Sequence, residues 1–269
     1  MARYAVCIGI NDYPGTGSDL SGCVNDAKDW RAALQARGFK VLPSLLNSDA
    51  TGKNMREAMQ HVVSMAKGGD TVVVQYSGHG SYVDDVDGDE DDGHDECLCP
   101  YDIDTKGEIT DDELFQIFNA KASGARVVFL SDSCHSGTVA KFAPSFSRSA
   151  AKVDRRVKFL PPQTFLSKQR LANMGGVNAG FRMGKAPGRY AALLMSGCMD
   201  YEYSYDAVIN GRPNGAFTYA AVKCLAALTK SATFAQWHRA VRTMLPSQSY
   251  PQSPNLYGPS NWKKWKVFA

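Results

Sequence analysis

The chain lacks any apolar run approaching the roughly 18 to 20 residues that a membrane span requires. Its opening, Met1-Ala2-Arg3 followed at once by Tyr4-Ala-Val-Cys-Ile-Gly-Ile10, is too short and too early for a signal peptide. Both absences predict a cytoplasmic protein with no membrane partner. Cysteine is scarce and odd in number: there are seven, and Cys7, Cys198 and Cys224 sit in apolar runs where a reduced thiol behaves as a small hydrophobe. That pattern argues against a disulfide framework. Lys and Arg are missing altogether from positions 84 to 96, which carry nine acids, while positions 148 to 189 hold ten Lys or Arg against the single Asp154. The formal net charge of +3 is therefore the remainder of two opposed blocks. The basic block has few interleaved aromatics and no recognisable nucleic-acid module, so nucleic acid is not an expected partner. No internal repeat is present.

The 269 residues, 44% of them hydrophobic and 21% charged, can bury a sizeable core. Tyr4 to Ile10, Thr71 to Tyr76, Arg126 to Leu130 and Tyr190 to Met195 are nearly continuous apolar runs without alternation, the pattern of strands covered on both faces. Helical periodicity lies between them, in Met55, Ala58, Met59, Val62, Val63 and Ala66, and in Leu114, Phe115, Ile117 and Phe118 behind a capping box at Thr110-Asp-Asp-Glu113. Further helices are expected from Gly215 to about Leu228 and from about Thr233. Alternating strand and helix predict an α/β fold with a mostly parallel sheet. Residues 143–188, with Pro144, Pro161, Pro162, Pro187 and several glycines, show no sustained period and read as a long mobile connector. It would join a larger portion, 1–142, to a smaller one, 189–269.

In such sheets ligands gather outside the carboxyl ends of the strands. The second run ends in Tyr76-Ser77-Gly78-His79-Gly80 and the third in Ser131-Asp132-Ser133-Cys134-His135-Ser136-Gly137. Neighbouring strand ends thus offer an imidazole and a thiol. A thiol becomes a strong nucleophile when an imidazole takes its proton, and the imidazolium can then protonate a leaving amine. Glycine beside His79 admits a substrate backbone, and the amides of Gly80 and Cys134 are candidate oxyanion donors.

Ser77-Gly-His79-Gly and Asp132-Ser-Cys134-His-Ser-Gly, followed by Ser196-Gly-Cys-Met-Asp200 and Asn214-Gly-Ala-Phe-Thr-Tyr219, resemble the metacaspases and their bacterial counterparts, the orthocaspases. The resemblance covers nearly the whole chain. It implies a caspase-like α/β/α sandwich, a monomer without a cofactor, and cleavage of proteins or peptides after Arg or Lys. His79, Cys134 and Gly80 would be catalytic, and Cys23, Asp26, Ser77 and Asp132 would line the pocket for the basic side chain. Two carboxylates with short polar neighbours are what a guanidinium or ammonium needs once it leaves water. Asp26 alone could equally be a first-turn acid at a helix start. The connector would be the site of self-cleavage, with Arg148, Lys152, Arg155, Arg156, Arg182 and Lys185 as candidates.

Other chemistries fit less well. Asp85-Val-Asp87-Gly-Asp89 lacks the glycine and glutamate of an EF-hand, Cys97-Leu-Cys99 lacks a second ligand pair for zinc, and His135 would diverge from its neighbour Cys134. No arginine follows Cys134 closely, which sets aside a thiol phosphatase. Calcium-activated relatives hold the ion on Asp residues whose counterparts would be Asp95, Asp111, Asp112 and a fourth position that is Lys141 here. An ammonium there removes a ligand and repels the ion, so no metal is expected and calcium should not be strictly required. The rival expectation is a non-enzymatic interaction module on the same scaffold. Its signature would be loss of Cys134 or His79, and both are present.

Overall fold

The apolar runs form the middle of a parallel sheet. A computed structural model describes residues 1–84, 94–134, 155–174, 190–199 and 202–268, with backbone alone for Lys106 and Asn173. Strand β1 (Arg3–Gly9) leads to helix α1 (Cys23–Gln35), short strands β2 (Lys40–Val41) and β3 (Leu45–Leu46), and helix α2 (Gly52–Ser64). Next come β4 (Thr71–Ser77), β5 (Gly80–Asp84), β6 (His94–Leu98), the short helix α3 (Ile103–Lys106), β7 (Ile109–Thr110) and helix α4 (Asp111–Asn119). They are followed by β8 (Arg126–Asp132), β9 (Arg155–Val157), α5 (Lys168–Met174) and β10 (Leu193–Ser196). The hairpin of β11 (Tyr205–Ile209) and β12 (Arg212–Gly215), helices α6 (Ala216–Ala227) and α7 (Phe234–Val241), and β13 (Asn255–Tyr257) complete the order.

Among the described residues the main sheet runs β13-β10-β8-β4-β1-β2, with β3 also paired to β1. Every pairing in it is parallel except that of β10 with the edge strand β13. Successive residues of the central strands feed opposite layers. Val72, Val74, Val127 and Phe129 pack with Met55, Met59, Leu114 and Phe118 of α2 and α4. Their neighbours Val73, Val128 and Leu130 pack on the other face with Trp30, Phe217 and Trp237 of α1, α6 and α7. Both faces are dry, which is why the sequence shows no alternation. The result is an α/β/α sandwich. Trp30 and Trp237 meet edge to face at 5.8 Å, and truncating such a buried indole costs about 3 to 5 kcal/mol.

Several boundaries differ from the sequence expectation. The run at 190–195 becomes strand only from Leu193 to Ser196, because Ala191 takes a positive φ of 50° that breaks the extended path. At the start of α4 only half of the expected capping box forms: Thr110 accepts the Glu113 amide, but the Glu113 carboxylate turns to Arg56 at 2.8 Å. A reciprocal box does form at Thr233 and Gln236. Within 143–188 the described residues, 155–174, include regular elements. Residues 155–157 are strand β9, paired antiparallel with β11, and α5 is tied down by Arg170, which holds Asp84 at 3.0 Å and Glu108 at 2.6 Å. Local periodicity could not reveal these elements, since long-range partners fix them.

Candidate active site

Ser77 and Asp132 are register partners at the ends of β4 and β8. His79 and Cys134 each lie two residues beyond that rung, so adjacent parallel strands deliver both to one end of the sheet. The His79 amide donates to the Tyr13 hydroxyl at 2.7 Å, and its carbonyl accepts from the Tyr76 hydroxyl at 2.6 Å. The Tyr13 and His79 rings pack at 4.6 Å. Ring Nε2 lies 2.6 Å from the Ser18 carbonyl, which can only accept, so Nε2 carries the hydrogen. Among the described residues Nδ1 is buried with no partner in hydrogen-bond geometry, so its lone pair is available. Burial pushes the imidazole pKa down from 6.5 to about 4, and the charge of Lys158 adds to the effect.

Cys134 is buried, and its Sγ accepts the Ser204 amide at 2.7 Å. The amides of Gly80 and Cys134 converge on a single oxygen, the carbonyl of Lys158, at 3.0 and 3.1 Å. The Lys158 amide in turn donates to the Ser204 carbonyl at 3.0 Å. A peptide carbonyl is therefore held by two N–H groups, one of which belongs to the thiol-bearing residue.

The Lys158 side chain runs inward, without solvent exposure, to end among Asp26 Oδ2 at 3.0 Å, Asp132 Oδ1 at 3.2 Å and Ser77 Oγ at 2.9 Å. Burial works against its charge, but the carboxylates of Asp132 and Asp26 outweigh this and raise its pKa well above the ordinary lysine value. Asp26, in the first turn of α1, also accepts from Ser77 Oγ at 2.6 Å, Asn214 Nδ2 at 3.0 Å and the Gly215 amide at 2.8 Å. Asp132 accepts from Ser204 Oγ at 2.7 Å, the Thr218 amide at 3.1 Å and Thr218 Oγ1 at 2.7 Å. Each carboxylate is thus oriented from the C-terminal portion while the lysine sits between them. Cys23 is buried at the start of α1, and burial pushes its thiol well above the usual range. A Cβ on Gly215 would come within 2.7 Å of Asp26 Oδ2 and closer still to Asp132 and Lys158, so the residue must be glycine.

The structure puts the Gly80 and Cys134 amides on one carbonyl oxygen, with His79 at the adjacent strand end, and gathers Asp26, Ser77 and Asp132 around one ammonium. Sequence reasoning missed Lys158, Ser204, Gly215, Thr218 and Tyr13. Gly215 and Thr218 fall in the Asn214-Gly-Ala-Phe-Thr-Tyr219 motif that carries part of the resemblance, the one signal available for them. Asp95 and Asp111 are buried in β6 and at the start of α4. Lys141, Arg148, Lys152, Arg182 and Lys185 lie outside the described residues. Among the described residues no group of three or more His, Cys, Asp or Glu is placed to hold a metal ion. No helix among them is long and apolar enough to cross a membrane.

The curated relatives this chain resembles are metacaspases. Metacaspase-1 of Cryptococcus neoformans is 32% identical over 94% of this chain and 62% of its own length. Metacaspase-3 of Arabidopsis thaliana is 33% identical over 83% of this chain and 59% of its own. The chain thus spans about three-fifths of the length of these relatives. A crystal structure of a protein from Geobacter sulfurreducens, 29% identical, aligns over 100% of this chain and 98% of that one with a TM-score of 0.73. Caspase-1 of Spodoptera frugiperda shares the fold at 14% identity and a TM-score of 0.58, over 95% of this chain and 86% of its own. The family model for the caspase domain matches residues 2–265, and the chain belongs to that family.

Proposed function

We propose that the protein is a cysteine endopeptidase that cleaves after Lys or Arg and processes itself after Lys158. The observation that carries the reading is the seating of Lys158. Its carbonyl oxygen lies between the Gly80 and Cys134 amides while its ammonium lies between Asp26 and Asp132. That is the posture of a residue whose following peptide bond is to be cut. Arg155 and Arg156, expected from sequence as cleavage candidates, reach elsewhere: Arg155 over the Tyr205 ring and Arg156 to the Asp19 carbonyl.

In the chemistry this supports, Cys134 Sγ attacks the Lys158 carbonyl carbon as Nδ1 of His79 takes the thiol proton. The two amides hold the developing oxyanion. Breaking the C–N bond passes that proton to the amine of Phe159, and water, deprotonated by His79, then releases the thioester as a carboxylic acid. A pocket holding two carboxylates repels an acidic side chain, so Asp before the cut is rejected.

The test is incubation of the purified chain beside its Cys134→Ala and His79→Ala variants, read by intact mass and N-terminal sequencing, with fluorogenic peptides ending in Lys, Arg or Asp. A new N-terminus at Phe159 in the wild type alone, with turnover of Lys and Arg but not Asp peptides, supports the reading. Peptide turnover by Cys134→Ala would sink it. A wild-type chain that stays whole while hydrolysing peptides would remove self-processing and favour Lys158 as a permanent plug.

A further inference from the structure

The segment carrying Lys158 touches far more than the pocket, and its flanking contacts fall on fixed features of the fold. Strand β9 pairs antiparallel with β11, with Tyr205 opposite Val157, Asp206 opposite Arg156 and Ala207 opposite Arg155. An extended chain added in this way is held by main-chain hydrogen bonds of any sequence, so selectivity comes from where its side chains land. The Arg155 guanidinium lies over the Tyr205 ring, 5.0 Å from its centroid, and donates to the Ser249 carbonyl. Tyr205 is itself buried and anchored by its amide to Gln252 Oε1 at 3.0 Å, so the platform is rigid. A planar cation that can stack and donate sideways suits it better than an ammonium does. Arg156 donates to the Asp19 carbonyl, at 2.6 Å on the exposed side. Beyond the lysine, Phe159 lies between Tyr82, stacked at 6.0 Å, and Tyr203 at 6.4 Å. The Leu160 amide donates to the Gly80 carbonyl at 3.0 Å, and Ser81 Oγ donates to the Leu160 carbonyl at 2.6 Å.

Resting on the peptidase reading, we propose that these features form an extended recognition site for substrates cut in trans. It selects arginine at the fourth position before the scissile bond, through Tyr205 and Ser249, and an aromatic residue immediately after the bond, through Tyr82 and Tyr203. The favoured substrate class is a flexible, basic segment of the pattern Arg-x-x-Lys-aromatic, and the chain's own Arg155-Arg-Val-Lys-Phe159 is its internal representative.

The experiment uses the full wild-type chain, incubated until its intact mass no longer changes, so that processing after Lys158 is complete before substrate is added. The probes are acetyl-Arg-Arg-Val-Lys and acetyl-Ala-Arg-Val-Lys fluorogenic amides, and quenched peptides with Phe or Ala after the lysine. Arginine at the fourth position should raise kcat/KM about fivefold, the scale of a partly desolvated cation over an aromatic ring. Phe should exceed Ala after the cut by a similar factor. Tyr205→Phe should keep the arginine preference and Tyr205→Leu should abolish it. Equal kcat/KM for the Arg and Ala peptides, or for Phe and Ala, overturns the corresponding half of the proposal while leaving the peptidase intact, and needs no substitution at Tyr205. Failure to cut any of the peptides overturns the peptidase reading and this inference with it.

Discussion

The ammonium of Lys158 lies 3.0 Å from Oδ2 of Asp26, and neither side chain reaches solvent. A buried ion pair is weak evidence for stability, because desolvation offsets attraction, but losing one partner leaves an uncompensated charge. Here it would leave two, since Asp132 faces the same nitrogen at 3.2 Å. In a Cys134→Ala background, which keeps the chain whole, Lys158→Met should therefore lower stability by up to about 3 to 5 kcal/mol. Lys158→Arg should cost far less, and in an active chain it should still be cut. Thermal unfolding and intact mass check the pair of outcomes; a Lys158→Met protein as stable as its parent would show that the pocket does not depend on its cation.

Gly215 offers a second, orthogonal change. A methyl group there would fill the space where the ammonium meets its carboxylates. Overpacking of this kind costs about 1 to 3 kcal/mol. Gly215→Ala should lose at least about tenfold in kcat/KM on lysine peptides. Unchanged kinetics would mean that substrates do not enter beside Asp26 and Asp132.

His79 predicts a pH dependence of stability. Its pKa is about 4 in the folded chain against an ordinary value of 6.5, so the unfolded chain takes up the proton first as pH falls. This contribution is fully present above pH 6.5 and is lost between 6.5 and about 4, amounting to about 3 kcal/mol at the lower end. Denaturant unfolding at pH 7.0 and 4.5 should show a smaller loss in His79→Gln than in the parent. Parallel losses would show that the imidazole is not held neutral.

Tyr13 should act as a positioning residue. Its hydroxyl receives the His79 amide at 2.7 Å, and its ring packs on the imidazole. Tyr13→Phe keeps the packing and leaves a buried N–H unpaired, a loss of about 1 to 3 kcal/mol. We expect kcat to fall about tenfold with KM little changed. An equal rise in KM alone would place Tyr13 in substrate binding.

Much of the scaffold was legible because β1, β4 and β8 are buried on both faces and therefore read as unbroken apolar runs. His79 and Cys134 were legible because each closes one of those runs among small residues, and parallel strands end together. Asp26 and Asp132 could be named, but the reason they coexist could not, since it is an ammonium contributed from 158, far along the chain from both. Nothing local separates Lys158 from the nine other basic residues between 148 and 189. What distinguishes it is the pairing of a three-residue strand with β11, and a strand so short carries no periodicity of its own. The reach of Thr218 and Gly215 into the site was hidden for the same reason.

The cradle of two amides around the Lys158 carbonyl bears on what happens after a cut. Hydrolysis there would convert a neutral carbonyl into a carboxylate, and N–H groups of Gly80 and Cys134 hold an anion more tightly than an amide oxygen. The lysine would remain clasped between Asp26 and Asp132, and β9 would stay hydrogen-bonded to β11. A chain cut there would be its own product complex, and opening the pocket to other substrates would then require β9 to peel away from β11.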